Sequence, residues 1–329
     1  MTSIVEEKDV SSPLVSVIIP CYNAGCFLRE TVESVFSQTL EDYEIILIDD
    51  GSTDDTVSVI RSFGDRVISE IGPNRGASAA RNRGTALSRG KFIQYIDADD
   101  LLSANALELR VRALQENNAD VAYSDWQKLI ETSESEFCLG EIVSKEIEDV
   151  HEDTQVACLT SFWAPPAALM YSRDVVDKIG GWRLDLPIIQ DARFLLDAAR
   201  NYALFIRVPE VSAYYRVLIK DSSLSRCSPA GFLEDVYTNA CQIDDIWQKN
   251  SSMTAARRKA LAQVYDYTAR NLFAVDFRLF QENVKRLYRV EPLFRLSWSK
   301  IASLASSLLG QKNTVRLMSL LNRPPVSLS

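Results

Sequence analysis

An α/β fold built on a mostly parallel sheet flanked by helices is what the sequence predicts, and three observations predict it. Short apolar, β-branched runs recur through the first 125 residues, segments with helical spacing separate them, and the balance of 47% apolar to 25% charged side chains is that of a globular chain. The runs are VSVIIP (15–20), YEIILID (43–49), RVISEI (66–71), KFIQYID (91–97) and ADVAYSD (119–125). Each has the length of a strand covered on both faces. Between them Leu28, Val32, Val35 and Phe36 share one helical face. Ser52, Thr53 and Asp54 offer N-caps ahead of TVSVIRSF, and Ser103 offers one ahead of ANALELRVRALQE. Strand and helix alternating at this spacing imply right-handed crossovers between parallel strands. From 126 to 227 the pattern breaks at Gly140, Pro165, Pro166, Gly180, Gly181, Pro187 and Pro209, the texture of loops and a second small sheet edge. Beyond Pro229, GFLEDVYTNACQIDDIWQK and ARRKALAQVYDYTARNLFAVDF read as helices. The expected organisation is a polar leader (1–13), one α/β domain (14–228) and a helical extension (229–329).

Several function classes are excluded by composition. Six cysteines form no CxxC and His151 is the only histidine, so neither a zinc site nor a histidine-based triad is expected. A general base must then be a carboxylate, or a Lys, Tyr or Cys. There is no GxGxxG, and the stretch from Gly84 to Gly90-Lys91 continues into Phe92, which is not a P-loop. No apolar run approaches the ~20 residues of a membrane-spanning helix. The acidic first ten residues lack the apolar core of a signal peptide, so a cytoplasmic protein with reduced thiols is expected. Residues 251–329 carry 13 basic and 4 acidic side chains, a net +9, which leaves the first 250 residues at −18. No nucleic-acid partner is expected.

In open α/β sheets ligands bind beyond the carboxyl ends of the strands, and four polar clusters fall there. They are Pro20-Cys21-Tyr22-Asn23, Asp49-Asp50-Gly51-Ser52, Pro73-Asn74-Arg75-Gly76 and Asp97-Ala98-Asp99-Asp100. On an extended segment Asp97 and Asp99 share a side and offer hard oxygens to a divalent cation; the alternative is a solvated acidic turn. Asp49 and Asp50 fit either a turn with an N-cap or a nucleobase site, in which Asp50 accepts a base N–H and Tyr22 lies against the base. Tyr22 alone serves equally as a packing aromatic. Gly76-Ala77-Ser78-Ala79-Ala80-Arg81 opens a helix whose first N–H groups and Arg81 suit a diphosphate, while Arg75, Arg81 and Arg83 otherwise read as solvated arginines.

The four segments VSVIIPCYN, EIILIDDGSTDDT, NRGASAARNRG and FIQYIDADD, in this order over residues 15–101, resemble family-2 glycosyltransferases of the GT-A fold. The likeness continues more loosely to about residue 226. It implies an inverting transfer of a sugar from a nucleoside diphosphate, with a bias to uridine, onto a hydroxyl of a glycan or lipid-linked acceptor, assisted by Mn²⁺ or Mg²⁺. It also implies that Pro20, Tyr22 and Asp50 hold the nucleoside, that Arg81 lies by the base or diphosphate, that Asp97 lies near the ribose and that Asp99 binds the metal. The family's catalytic base is the last acid of a Glu-Asp pair opening a helix. LPIIQDARFLL places Asp191 there, with Gln190 where the Glu usually stands. GGW (180–182) resembles the turn preceding that base. AYYRVLIKDSSLS (213–225) resembles a closing loop near the phosphates, where Leu218 stands in place of the usual His and Arg216, Lys220 and Ser225 are the substitutes. Two other classes fit the sequence less well. A haloacid-dehalogenase-like phosphatase needs an Asp after the first strand, where Pro20-Cys21-Tyr22 stands, and a non-catalytic sugar-nucleotide-binding subunit is favoured only by Gln190 and Leu218.

The basic extension has its own set of expectations. Leu287, Tyr288, Leu293, Phe294, Trp298, Ile301, Leu304, Leu308, Leu309 and Leu317 among cationic residues suit a segment lying on an anionic membrane. Packing on the acidic body, or self-association, suits them equally.

Overall fold

The computed structural model describes residues 12–133, 136–219, 227–273 and 275–294. By packing, the chain divides into two units, Met1–Cys227 and Ser228–Ser329.

In the first unit all five apolar runs become strands. Its first half runs β1 (Val15–Cys21), α1 (Leu28–Phe36), β2 (Tyr43–Asp50), α2 (Thr56–Ser62), β3 (Ile68–Gly72), α3 (Ala77–Leu87), β4 (Phe92–Tyr95), β5 (Leu101–Leu102) and α4 (Ala106–Asn117). The second half runs β6 (Val121–Ser133), β7 (Glu136–Val143), α5 (Ile147–Val150), α6 (Thr154–Thr160), β8 (Leu169–Ser172), α7 (Arg173–Ile179), α8 (Gln190–Arg200) and β9 (Phe205–Val217). The sheet order is β3-β2-β1-β4-β8-β6-β9-β5, with β7 paired to β6. The first four strands are parallel, as their continuous apolar runs require. β8 then pairs antiparallel to both β4 and β6, so β6 does not follow β4 as another parallel neighbour. In the stretch expected to be loops and a small edge, the strand expected at 119–125 continues as the thirteen-residue β6, and the thirteen-residue β9 runs parallel to it with β7 folded back on β6. β3 departs from the buried-strand reading, because it is an edge with only β2 beside it and its Ile68 and Ile71 are exposed.

Register explains why the motifs meet. Cys21 lies opposite Asp49 and Asp50 opposite Gly72, so the segments after β1, β2 and β3 leave the sheet at one level. Asp54 supplies the turn before α2, accepting from the Thr56 N–H at 3.0 Å, while its other oxygen accepts from Gly25 N–H at 3.0 Å. Ser103 does not cap α4; its hydroxyl donates to Asn105 Oδ1 at 3.0 Å. α3 presses on β1 and β2 at Gly84, where an added Cβ would stand 2.4 Å from Ile18 Cγ2. Gly84→Val is therefore expected to cost about 1–3 kcal/mol by overpacking, read as a lowered thermal midpoint. An unchanged midpoint would contradict this packing.

The second unit comprises α9 (Pro229–Lys249), α10 (Ala255–Leu272) and α11 (Phe277–Val290). The second run expected to be one helix stops at Leu272, and a new helix begins where the Asp276 carboxylate accepts from Leu279 N–H at 2.8 Å. Trp247, Leu261, Tyr265, Phe280 and Leu287 are buried in this unit. The Asp244 carboxylate, fully buried, accepts from Arg289 at 2.7 Å and pairs with Arg286 at 3.5 Å. Two of the basic residues are thus used inside the unit, and Leu287 is core, not a membrane-facing side chain. Leu293 is exposed, and Trp298, Ile301, Leu304, Leu308, Leu309 and Leu317 lie outside the described residues. Among the described residues no helix is long and apolar enough to cross a membrane.

Candidate active site

The loops after β1 and β2 are stitched together by Asn23, whose φ of 48° is the left-handed conformation Asn tolerates. Its Oδ1 accepts from Thr53 N–H at 2.8 Å and its own N–H donates to Ser52 Oγ at 3.0 Å. Beside this stitch Pro20 is half-buried and Tyr22 is exposed, its ring free of the core. Asp49 closes the turn, accepting from Gly51 and Ser52 N–H. Asp50 is buried, and its two oxygens accept from Arg75 N–H and, at 2.7 Å, Gly76 N–H. Asp50 thus holds the 73–76 loop in place, and any base N–H it accepts must use a remaining lone pair.

Arg81 is not a surface arginine. Its side chain is 4% exposed, lies over the Trp182 ring at 4.5 Å, pairs with Asp97 and donates to Gln190 Oε1 at 3.0 Å. Ser78 donates to the same oxygen at 2.7 Å, and Gln190 Nε2 donates to the Pro187 carbonyl. Gln190 therefore ties the start of α8 to α3. The GGW turn is clasped by the same helix: Asn82 accepts from Trp182 N–H at 2.7 Å and donates to its carbonyl at 3.0 Å. Gly180 and Gly181, at φ 79° and 115°, make that approach possible.

Asp97 and Asp99 lie on a turn, closed by Asp100 N–H donating to the Asp97 carbonyl at 3.1 Å, and not on the extended segment expected. The two carboxylates still sense each other. Burial, and then the charge of Asp97, push Asp99 up to about 6. Asp100 is fully buried and is raised by burial and by the same two acids. Its Oδ1 accepts from Arg216 N–H at 3.0 Å. The Arg216 guanidinium has no exposure: it donates to the Asp99 carbonyl, pairs with Glu30 and lies between Phe27 at 4.9 Å and Phe137 at 5.3 Å. In this arrangement Arg216 braces the acidic turn through the Asp99 carbonyl. Leu218 is half-buried next to it, and Lys220 and Ser225 lie outside the described residues.

Asp191 sits in the first turn of α8, its Oδ1 accepting from Ala192 N–H at 2.8 Å and its Oδ2 from the Trp163 indole N–H at 2.7 Å. Burial raises its pKa; those two donors and Arg81 oppose the rise, and Asp97 adds to it. Asp191 thus shares one electrostatic neighbourhood with Arg81 and Asp97. Trp163, Trp182 and Glu30 were missed from the sequence. Trp163 stands before Pro165-Pro166 in a stretch read as loop, and Trp182 was hidden behind the two glycines of its own motif.

Comparisons with known proteins identify the relatives of this chain. Residues 16–180 match the family model described as Glycosyl transferase family 2. The chain is 34% identical over 148 residues to Glycosyltransferase GlyG of Streptococcus pneumoniae, covering 41% of this chain and 49% of that one. It is 39% identical over 123 residues to the uncharacterized glycosyltransferase YibD of Escherichia coli, covering 35% of each. It therefore spans about half or less of the length of these relatives. In three dimensions it resembles S. aureus TarS 1–349 in complex with UDP-GlcNAc, at a TM-score of 0.66 and 17% identity over 93% of this chain and 90% of that one. It also resembles the mannosyltransferase PcManGT of Pyrobaculum calidifontis in complex with GDP-Man and Mn²⁺, at 0.51 and 15% over 95% and 88%. These two likenesses show the GT-A fold.

Proposed function

The chain belongs to glycosyl transferase family 2, and from that premise we propose that it transfers a sugar from a uridine diphosphate sugar to a hydroxyl of a glycan or lipid-linked acceptor, with inversion. One observation carries the reading. Arg81 bonds Asp97 on the acidic turn and Gln190 on the helix that carries Asp191, so an acid able to act as base is fixed beside the residues suited to a sugar diphosphate.

In this reading Pro20, Tyr22 and Asp50 receive the nucleoside, with Tyr22 against the base. Asp97 lies toward the ribose. Arg81, a cation held in place by Asp97 and Gln190, attracts the diphosphate and stabilises the charge it gains on leaving. Asp191 accepts the proton of the acceptor hydroxyl as its oxygen attacks the anomeric carbon from the face opposite the diphosphate. A single displacement of this kind inverts that carbon.

A divalent cation fits the acidic turn. Asp97 and Asp99 offer hard oxygens; burial and then the charge of Asp97 raise Asp99, and a cation relieves that repulsion. Among the described residues there is no cluster of three or more acidic, His or Cys side chains able to hold a metal. An ion held by these carboxylates would be completed by the donor's phosphates, the usual arrangement for Mg²⁺ and a suitable one for Mn²⁺. Asp99, supported by Asp97, would hold it, and when bound the ion supplies charge to the departing diphosphate.

Screening hydrolysis of nucleotide sugars in Mn²⁺ tests the reading. Turnover confined to uridine diphosphate sugars is the expected result, while no cleavage of any nucleotide sugar, or cleavage of phosphate monoesters instead, contradicts it.

A further inference from the structure

We infer that Trp163 is the positioning residue of the acceptor-activating base, its indole N–H holding the Asp191 carboxylate in the orientation that receives the acceptor proton. The inference rests on the reading of Asp191 as that base. Two fixed donors grip the carboxylate from different elements: Ala192 N–H on Oδ1 at 2.8 Å and the Trp163 indole on Oδ2 at 2.7 Å. Each oxygen keeps a second lone pair for a hydroxyl. The indole is a donor only, so it cannot take the acceptor's proton itself or exchange roles with Asp191.

The indole is itself held. Its ring meets Trp126 on β6 edge-on at 5.8 Å and Tyr215 on β9 at 6.1 Å, and Trp126 meets Tyr215 at 5.7 Å. Tyr215 immediately precedes Arg216, whose guanidinium donates to the carbonyl of Asp99. One strand therefore mounts both the base's anchor and the acidic turn. The separation between the attacking and leaving ends of the reaction is fixed through β9, and misplacement on the scale of an ångström is costly to a reaction of this kind.

The groups facing Asp191 are Trp163, Arg81 of α3, Asp97 beyond β4, Tyr171 of β8 and Tyr215 of β9. Among them the indole N–H and Arg81 favour the ionised carboxylate, and burial and Asp97 oppose it. Removing the N–H must therefore raise the pH at which Asp191 ionises.

The test compares wild type, Trp163→Phe, Asp191→Asn and the double variant by UDP release from UDP-GlcNAc in Mn²⁺, with water as acceptor. Benzothienylalanine at position 163, which keeps the indole's shape without its N–H, covers the case in which the Phe variant does not fold. Expected are a fall in kcat of about ten- to hundredfold, the worth of a hydrogen bond to a charged group, an unchanged KM for UDP-GlcNAc, an acidic limb moved to higher pH, and little further loss on top of Asp191→Asn. Equal losses in both backgrounds, or an unmoved limb, overturn the inference. Asp191→Asn at wild-type turnover instead overturns the base reading, and this inference with it. A readout without turnover is the ¹⁵N-indole resonance of Trp163, expected to titrate with pH and to shift in Asp191→Asn. A resonance indifferent to both overturns the inference.

Discussion

Asp191→Asn is expected to lower turnover by about 10²- to 10⁴-fold, the usual worth of a general base, with donor affinity nearly unchanged. The amide keeps the size of the carboxylate but cannot take the acceptor's proton. Its Oδ1 can still accept from Ala192 or Trp163, so folding should be retained. The same assignment sets a pH dependence. A base works only when deprotonated, and burial raises the pKa of Asp191 above the ordinary Asp value. Activity should therefore fall with decreasing pH along a limb that starts above the range of an exposed Asp, and Asp191→Asn should abolish that limb. Steady-state kinetics across pH, with donor binding measured separately, checks both. Loss of donor binding in proportion to turnover would contradict the assignment.

Asp99→Ala is expected to remove turnover by on the order of 10³-fold, because it takes one of two carboxylates from the proposed cation and with it several kcal/mol of charge stabilisation on the leaving diphosphate. Donor affinity in Mn²⁺ should fall with it, measured by calorimetry with UDP. Stability should behave differently. Folding raises the pKa of Asp99 from 3.8 to about 6, so in the metal-free chain its ionisation opposes folding. That penalty begins as pH rises through the unfolded value and is complete above the folded one. The metal-free variant at neutral pH should thus melt no lower than wild type. Wild-type activity persisting in excess chelator would contradict the role given to Asp99.

The parallel half of the sheet was legible because strands buried on both faces write themselves as continuous apolar runs, and because Asp50 ends β2 and Gly76 opens the helix after β3. The mixed half was not. β6 finds β8 46 to 50 residues on and β9 more than 80 residues on, and no local period records a partner at that distance. Asp99, Arg81 and Asp191 could be named from motifs, but their surroundings could not. That Arg81 is buried under Trp182 depends on a turn a hundred residues away. That Arg216 braces the acidic turn through the Asp99 carbonyl was hidden as well, because that carbonyl lies more than a hundred residues away in the sequence. Trp163 had no motif, and only the fold reveals what its N–H meets.

The anomeric configuration of the product tests the central claim most directly. With an α-linked uridine diphosphate sugar as donor, ¹H NMR of the freshly formed product should show the β-anomer, as a single displacement driven by Asp191 requires. An α-linked product would contradict the account, because retention demands either two displacements or attack from the face of the leaving diphosphate.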